Sequence, residues 1–163
     1  MRQPLRFLHL PDFAAALLLW GCAFAAFAAE PAARASTART EITTVVQNFV
    51  SAWNQNNTET LTDLFTPNGT FTSPRGAKAK GRAAIRNLLT QEHRDIYRGT
   101  TLVANVDSTA FPKTGNALAK GTYTLQGVNV MFGIEVSPEG TFTFELTRRS
   151  DAWRIASARI FKN

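Results

Sequence analysis

The last strand-like segment, "AWRIASARIF", places one arginine on a face that is otherwise apolar. Because side chains alternate along a strand, Arg159 is predicted to share a side with Trp153, Ile155 and Phe161. A planar guanidinium can bind a carboxylate through two parallel hydrogen bonds. Arg159 is therefore a candidate clamp for an acidic ligand. Pairing with an internal acid or a place at a dimer interface would explain it equally well.

A histidine and two tyrosines are three further polar candidates for a functional site. His93 lies four residues beyond Leu89 on the apolar face of a predicted helix. It is a candidate general acid or base, and its interaction with the helix end is the simpler explanation. Tyr97 and Tyr123 are either hydroxyl donors in a pocket or buried aromatics with a structural hydrogen bond. After residue 29 there is no second histidine and no cysteine, so neither a metal site nor a cofactor is expected.

The helices that must position these residues are predicted from apolar spacing and capping signals. From Ile42 to Trp53 the apolar residues follow the i, i+3, i+4, i+7 pattern of an amphipathic helix. After the polar tetrad "NQNN", Thr58 is predicted to cap a short second helix that the turn at 67–69 ends. A third helix is predicted to begin at Gly81 and to contain "RAAIRNLLTQEHRDI".

The remainder of the chain has the composition of strands. One short strand, "GTFTSP", precedes the third helix, and the four long segments that follow it are rich in β-branched and aromatic residues. Turn signals at 112–115, 137–140 and 150–151 separate the long segments. This order predicts an α+β domain in which helices cover one face of a bent antiparallel sheet.

The N-terminal region has the features of an export signal. A basic start precedes the apolar run "FAAALLLWGCAFAAFAA", which is short for a membrane span and ends in small residues. Residues 1–29 are therefore predicted to be a cleaved signal peptide, with an exported, periplasmic or secreted product and no membrane span after cleavage. An uncleaved anchor and lipidation at Cys22 are the alternatives. A linker is predicted over 30–38 and the folded domain over 39–163.

The chain carries a formal net charge of +6, and its densest basic cluster is "RGAKAKGR". The cluster falls in a predicted loop, and no basic element suited to reading a nucleic-acid groove is present, so nucleic-acid binding is not expected. A solvated loop explains the cluster most simply, and attraction of an anionic ligand or of lipid headgroups is the alternative.

Four segments carry a resemblance to a known family: "FVSAWNQNNTETLTDLFTPNGTFTSPRG", "GRAAIRNLL", "GTYTLQG" and "WRIASARIF". Together they resemble the nuclear transport factor 2-like superfamily, and in particular its SnoaL-like and SgcJ/EcaC-type small exported domains. The resemblance spans 39–163. It implies a cystatin-like α+β roll, in which a curved antiparallel sheet wraps around the N-terminal helices as a cone with a pocket at its open end. It also implies homodimerisation through the sheet.

The resemblance implies a ligand site inside the cone. Its apolar wall would contain Trp53, Phe71, Phe132 and Phe142, unless these residues only form the core. Related enzymes, such as ketosteroid isomerases and polyketide cyclases, use a cone carboxylate as base and a polar partner to stabilise an enolate. The full candidate ligand-binding set is Trp53, Phe71, His93, Tyr97, Tyr123, Phe142 and Arg159, and no catalytic residue is assigned.

Two observations weigh against acid–base catalysis. Asn57 and Asn68 stand where many relatives carry Asp, and an amide can cap a helix or shape a turn but cannot act as a base. The strand carboxylates are Asp107, Glu135 and Glu145, and Glu145 alternates with phenylalanines, so an inward phenylalanine face turns it outward.

Three functional hypotheses therefore stay open. The first is an exported domain that binds a small apolar or weakly acidic ligand in its cone. The second is a cofactor-free isomerase or polyketide-cyclase-like enzyme. The third is a protein-interaction or dimerisation domain whose pocket is filled by side chains.

Overall fold

The computed structural model describes residues 21–129 and 134–162, with side chains from residue 32 onward. Most of the predicted signal peptide, and also Phe132, lies outside the described residues. A compact unit begins at Ala38. None of the described helices combines the length and the apolar composition that crossing a membrane requires.

Three helices and eight strands are described. In chain order they are α1 (Gly21–Asn54), α2 (Thr58–Asp63), β1 (Phe65–Thr72), β2 (Lys78–Lys80), α3 (Arg82–Arg94), β3 (Thr101–Lys113), β4 (Asn116–Gln126), β5 (Val128–Asn129), β6 (Glu135–Val136), β7 (Glu139–Arg149) and β8 (Ala152–Lys162).

The helix predicted from Ile42 onward is confirmed, and it is longer than predicted. Helix α1 also includes residues 30–38, which were predicted to form a linker. Their high alanine content favours a helix, because alanine loses the least conformational entropy on adopting one. Within the compact unit α1 buries Ile42, Val46, Phe49 and Trp53, which recur at helical spacing on one face.

The corner between α1 and β1 differs in detail from the prediction. Asn57, not Thr58, caps α2, because its side-chain oxygen accepts a hydrogen bond from the Thr60 amide at 3.0 Å. Strand β1 begins at Phe65, within the predicted second helix. Pairing with β8 draws the chain into the sheet there, and the Ile155 amide donates to the Leu64 carbonyl at 2.8 Å.

Six strands form one sheet in the order β2-β1-β8-β7-β4-β3. All neighbouring pairs are antiparallel except β1 and β8, which are parallel. The core lies between the sheet and α1, where the Phe49 ring meets Phe144 edge-on with centroids 5.1 Å apart. The predicted α+β fold is confirmed. The parallel pair and the two-stranded β5-β6 ribbon were not predicted.

Candidate functional site

The apolar interior of the roll is filled by side chains. A void of about 10 Å³ remains between α1 and the sheet, about the smallest space that holds one water molecule. Its lining includes Phe49, Leu102, Tyr123, Phe142 and Ile160. Trp53, Phe71 and Phe142, predicted as a pocket wall, are at most 3% exposed and belong to the packed core. A ligand that enters this region must displace side chains.

Polar side chains gather at one part of this core. We call this group the polar cluster; its members are Trp53, Ser73, Glu92, His93, Tyr97 and Tyr123, and none is more than 8% exposed. The Trp53 ring lies edge-on to His93 with centroids 4.5 Å apart, and its centroid is 5.4 Å from that of Tyr97. Glu92 and Tyr123 both lie close enough to Tyr97 to act on its ionisation. The cluster therefore joins α1, α3, β4 and the segment after α3.

Five buried polar atoms of the cluster have no hydrogen-bond partner among the described residues. They are Trp53 Nε1, Glu92 Oε2, both ring nitrogens of His93, and the Tyr123 hydroxyl. Nearly all buried polar atoms of native proteins are hydrogen-bonded, and each one left alone costs about 1–3 kcal/mol. Their concentration in one cluster indicates a place where water or a ligand supplies the missing partners.

The spacing of residues on α3 brings Glu92 and His93 inward. The buried residues of this helix are Ile85, Leu89, Glu92 and His93, so the two polar residues continue the apolar stripe at the end of the helix. The helix begins after Gly81, which has a φ of 83° that favours glycine.

Residues near the end of β1 and on β7 contact the Glu92 and Tyr123 side chains of the cluster. The Ser73 hydroxyl, just beyond β1, donates a hydrogen bond to Glu92 Oε1 at 2.7 Å. On β7, Gly140 faces Tyr123 of β4. A Cβ atom at Gly140 would lie 2.8 Å from Tyr123 Cε1 and 1.9 Å from the Phe161 carbonyl oxygen. Glycine at this position thus leaves room for the tyrosine ring.

Burial controls ionisation within the cluster. It raises the pKa of Glu92, although the hydrogen bond from Ser73 and the charge of Arg75 act in the opposite direction. Burial also raises the pKa of Tyr97, and the Glu92 carboxylate and Tyr123 add to that effect. The pKa of Tyr123 is likewise raised by burial. Both phenols therefore stay protonated at neutral pH and are available as hydrogen-bond donors.

Burial lowers the pKa of His93, so its imidazole is neutral at neutral pH. A carboxyl group with a raised pKa, two neutral phenols and a neutral imidazole together can donate to and accept from an uncharged ligand. The same set can transfer a proton. Among the described residues, no group of three or more His, Cys, Asp or Glu side chains is placed to hold a metal ion.

The predicted inward orientation of Arg159 is wrong. A bulge in the β7–β8 pairing places Ile155 opposite Leu146 and Ser157 opposite Glu145. Ala156 is therefore an extra residue of β8 that has no opposite residue in β7. Beyond the bulge Ala158 and Ile160 face inward, and Arg159 is exposed on the outer face, paired with Glu145. The bulge inverts the alternation on which the prediction depended.

The other predicted residues lie inside, and the strand carboxylates do not. His93, Tyr97 and Tyr123 meet in the polar cluster with Trp53, while Phe71 and Phe142 lie in the adjoining core. All three strand carboxylates, Asp107, Glu135 and Glu145, are exposed. For Glu145 this is the predicted outward orientation.

Sequence reasoning missed Glu92 and Ser73. Glu92 lies seven residues after Ile85 and three after Leu89, so its position on the apolar stripe of α3 was the signal that could have identified it. Ser73 gave no such signal, because only the tertiary structure brings it to Glu92.

Solved structures share this fold. One is an uncharacterised protein with a cystatin-like fold from Caulobacter vibrioides, with a TM-score of 0.69, 21% identity, and coverage of 77% of this chain and 89% of that one. A second is a nuclear transport factor 2-like protein from Novosphingobium aromaticivorans, with a TM-score of 0.68, 23% identity, and coverage of 80% and 86%. A third, a domain of unknown function with a cystatin-like fold from Nostoc punctiforme, has a TM-score of 0.66, 20% identity, and coverage of 77% and 76%.

These likenesses define the class of the fold as nuclear transport factor 2-like. The family model of the SnoaL-like domain matches residues 34–159, and the chain belongs to this family. No curated protein shows a significant sequence match to the chain.

Proposed function

We propose that this domain binds a small, uncharged, mainly apolar molecule through a hydroxyl or carbonyl group that its polar cluster recognises. The observation that carries the proposal is the presence, in one cluster of an otherwise apolar core, of five buried polar atoms that no described residue hydrogen-bonds. Buried polar groups are retained at a cost, and a site for an oriented ligand is one of the few uses that offset it.

The chemistry of three of the five atoms indicates the class of ligand. Trp53 Nε1 can only donate a hydrogen bond, and the Tyr123 hydroxyl donates or accepts. Glu92 Oε2 accepts when it is ionised and donates when it is protonated. A hydroxyl group on an apolar ring can donate one hydrogen bond and accept two, so its capacity matches these three groups, and a carbonyl can accept from the donors among them. An anionic ligand is disfavoured here, because the buried Glu92 carboxylate would repel it.

The packed interior limits where the ligand lies. The void of about 10 Å³ is too small for an organic molecule. The ligand therefore lies beside the polar cluster and displaces side chains or water there. Arg159, predicted as a clamp for an acidic ligand, takes no part in this site, because it is exposed on the outer face and pairs with Glu145.

A matched pair of ligands tests the proposal: phenol and benzene, titrated into the full chain and followed by NMR at the Trp53 Nε1–H resonance. Phenol should shift this resonance at lower concentration than benzene does. Glu92→Gln and Tyr123→Phe should each weaken phenol binding by about tenfold, as expected for the loss of one buried hydrogen bond. The control is Glu139→Gln, since Glu139 is exposed on β7.

Two results would contradict the proposal. One is equal affinity for phenol and benzene, which would make the polar cluster irrelevant to recognition. The other is ordered water on all five atoms in a high-resolution crystal structure combined with no phenol binding, which would make the cluster a hydrated part of the core.

A second candidate function is proton transfer next to a carbonyl group. Glu92 has a raised pKa and lies beside Tyr97, whose raised pKa keeps it a donor. A base with a raised pKa and a neutral donor are the groups that enolisation requires. In heavy water the chain should speed the exchange of α-hydrogens of cyclohexenone for deuterium. The exchange should fall to the background rate in Glu92→Gln and be retained in Glu139→Gln; equal rates in both variants would exclude Glu92 as the base.

Export and assembly form a further part of the proposal. Residues 1–29 direct export and are removed, and the domain forms a homodimer through the outer face of its sheet. The exposed apolar side chains of Val103 and Phe161 on that face support the dimer. The exported protein should begin near Ala29 on N-terminal sequencing and sediment at twice the monomer mass. A retained Met1 would contradict export with cleavage, and a monomer at high concentration would contradict the dimer.

A further inference from the structure

A cleft on the surface of the compact unit lies between the N-terminal end of α2 and the C-terminal end of α3. Its volume is about 430 Å³, which is within the range of small-molecule sites. We call it the arginine cleft; its lining residues are Asn56, Thr58, Thr90, His93, Arg94 and Arg98. These six described residues contribute two guanidinium groups and no carboxylate.

Neither arginine of the cleft has a partner in the part of the chain that the structure describes. Arg94 and Arg98 are exposed, and neither forms an ion pair or a side-chain hydrogen bond with any described residue. Arg82 and Arg148, by contrast, pair with Asp63 and Glu41, and it is the shared concave surface that sets Arg94 and Arg98 apart. Two unpaired positive charges on one concave surface create a positive potential that attracts an anion.

A buried side chain aimed into the same cleft is the second observation. His93 is 8% exposed, lines the cleft, and has no partner for either ring nitrogen among the described residues. A neutral imidazole carries one N–H, which can donate to an anion. The hydroxyl oxygens of Thr58 and Thr90 lie 3.3 Å apart across the cleft, so one of them retains a free proton to donate.

The number of donors indicates the type of anion. Two guanidinium groups, an imidazole, a threonine hydroxyl and the amide of Asn56 surround the cleft. A carboxylate has two oxygens and would leave most of these donors unused. The three terminal oxygens of a phosphate monoester accept hydrogen bonds from several directions, and arginine binds them in bidentate fashion. The remaining volume accommodates a small organic group.

A simpler role exists for the arginines, because basic residues near the C-terminal end of a helix stabilise its exposed carbonyls. This role explains Arg94, which lies in the last turn of α3. It does not explain Arg98, which lies beyond the helix, or the unpartnered ring nitrogens of the buried His93.

We propose that the arginine cleft binds the phosphate group of a small phosphate monoester. This inference goes beyond the proposed function, since it concerns a separate surface and an anionic ligand. Only His93 belongs to both sites, and the variants that test the cleft leave the polar cluster unchanged.

The test is a calorimetric titration of the full chain with methyl phosphate at low ionic strength. Arg94→Gln and Arg98→Gln should each weaken binding by about tenfold, as expected for the loss of a charge-assisted contact. The matched control is Arg86→Gln, which removes the same charge from the same helix outside the cleft; Arg86 forms only a 3.8 Å pair with exposed Glu59. Acetate should bind more weakly than methyl phosphate.

Three outcomes would overturn the proposal. The first is an equal loss of affinity in Arg86→Gln, which would indicate attraction by net charge alone. The second is an unchanged affinity in Arg94→Gln and Arg98→Gln with a lowered melting temperature in Arg94→Gln, which would leave only the helix-end role. The third is binding to vesicles of phosphatidic acid without binding of methyl phosphate, which would identify a membrane surface instead of a soluble monoester.

Discussion

The Ser73 hydroxyl donates a hydrogen bond to Oε1 of Glu92 at 2.7 Å, while Oε2 of the same carboxyl group has no partner among the described residues. One carboxyl oxygen of this buried residue is therefore held in place, and the other oxygen is available to bind a ligand. This arrangement orients the group without satisfying it, as expected of a residue that acts on a ligand. It also makes the folded state sensitive to pH and to small changes around Glu92.

Glu92→Gln should stabilise the protein at neutral pH. The pKa of Glu92 is raised in the folded state, so between its unfolded and folded pKa values the folded protein binds more protons than the unfolded protein. Stability must then fall as the pH rises through this window. Because glutamine does not ionise, the variant should gain on the order of 1 kcal/mol at pH 7 relative to the parent chain. The gain should vanish below about pH 4, near the ordinary pKa of glutamate.

Urea unfolding at pH 4, 5.5 and 7 measures this difference. Glu139→Gln is the control, since Glu139 is exposed on the same sheet, and its effect should stay within about 0.5 kcal/mol at every pH. If Glu92→Gln destabilised the protein at pH 7 more than at pH 4, the carboxylate would be stabilised in the folded state and the raised pKa would be wrong.

Ser73→Ala and Tyr123→Phe should have different effects although each removes one buried hydroxyl. Ser73→Ala deletes a donor that Glu92 uses and should cost about 1–3 kcal/mol of unfolding free energy. Tyr123→Phe removes a hydroxyl that has no partner among the described residues, so its cost should be near zero or negative. Thermal unfolding of both variants at pH 7 makes the comparison. A large loss in Tyr123→Phe would mean that water or another group satisfies that hydroxyl.

His93→Phe should protect the protein against mild acid. Burial lowers the pKa of His93 in the folded state below its ordinary value of 6.5, so the unfolded protein binds more protons than the folded protein as the pH falls below 6.5. The parent chain therefore loses stability in this range. Phenylalanine preserves the edge-on packing against Trp53 and does not titrate. Relative to the parent chain, the variant should be more stable at pH 5 than at pH 7.5 by on the order of 1 kcal/mol.

The NMR titration of His93 gives an independent measurement of the same effect. Its ring protons should titrate with a pKa below 6.5. A pKa at or above 6.5 would show that a carboxylate or another acceptor stabilises the protonated ring, and it would contradict the predicted acid sensitivity.

The helices could be predicted from sequence because their signals are local. The apolar spacing from Ile42 to Trp53 and the stripe at Ile85 and Leu89 depend only on the period of a helix, and both elements formed as predicted. The order of helices and strands, together with the family resemblance, was sufficient to predict the fold. The cap of α2 is Asn57 and not Thr58, one residue earlier than predicted, because the Asn57 side chain accepts from the Thr60 amide.

The site was less predictable, because it depends on contacts between distant parts of the chain. Arg159 was placed on the wrong face because one bulge opposite Glu145 inverts the alternation in β8, and no residue type in "ASAR" marks a bulge. Glu92 was overlooked because a charged residue near the end of a helix is usually exposed. In the fold its carboxyl group accepts a hydrogen bond from the Ser73 hydroxyl, which lies far from it along the chain.

Asn54, the last residue of α1, makes a two-point contact that should be important for stability. Its side-chain amide donates to the Leu102 carbonyl at 3.0 Å, and its side-chain oxygen accepts from the Leu102 amide at 2.7 Å. The side chain thus substitutes for a neighbouring strand at the start of β3. Asn54→Ala should lower the unfolding free energy by about 1–2 kcal/mol, because it removes both hydrogen bonds.

Asn54→Asp separates the two halves of this contact. Aspartate can still accept from the Leu102 amide, but it cannot donate, and its charge repels the Leu102 carbonyl oxygen. Asn54→Asp should therefore be destabilised at pH 7, and part of its stability should return below about pH 4, where the carboxyl group is protonated and can donate. Asn87→Ala, at an exposed position inside α3, is the control; it should stabilise by at most about 0.7 kcal/mol, equally at both pH values, because alanine is the better helix former. Urea unfolding at both pH values tests the contact, and a loss in Asn54→Asp that does not depend on pH would exclude donation to the Leu102 carbonyl as its cause.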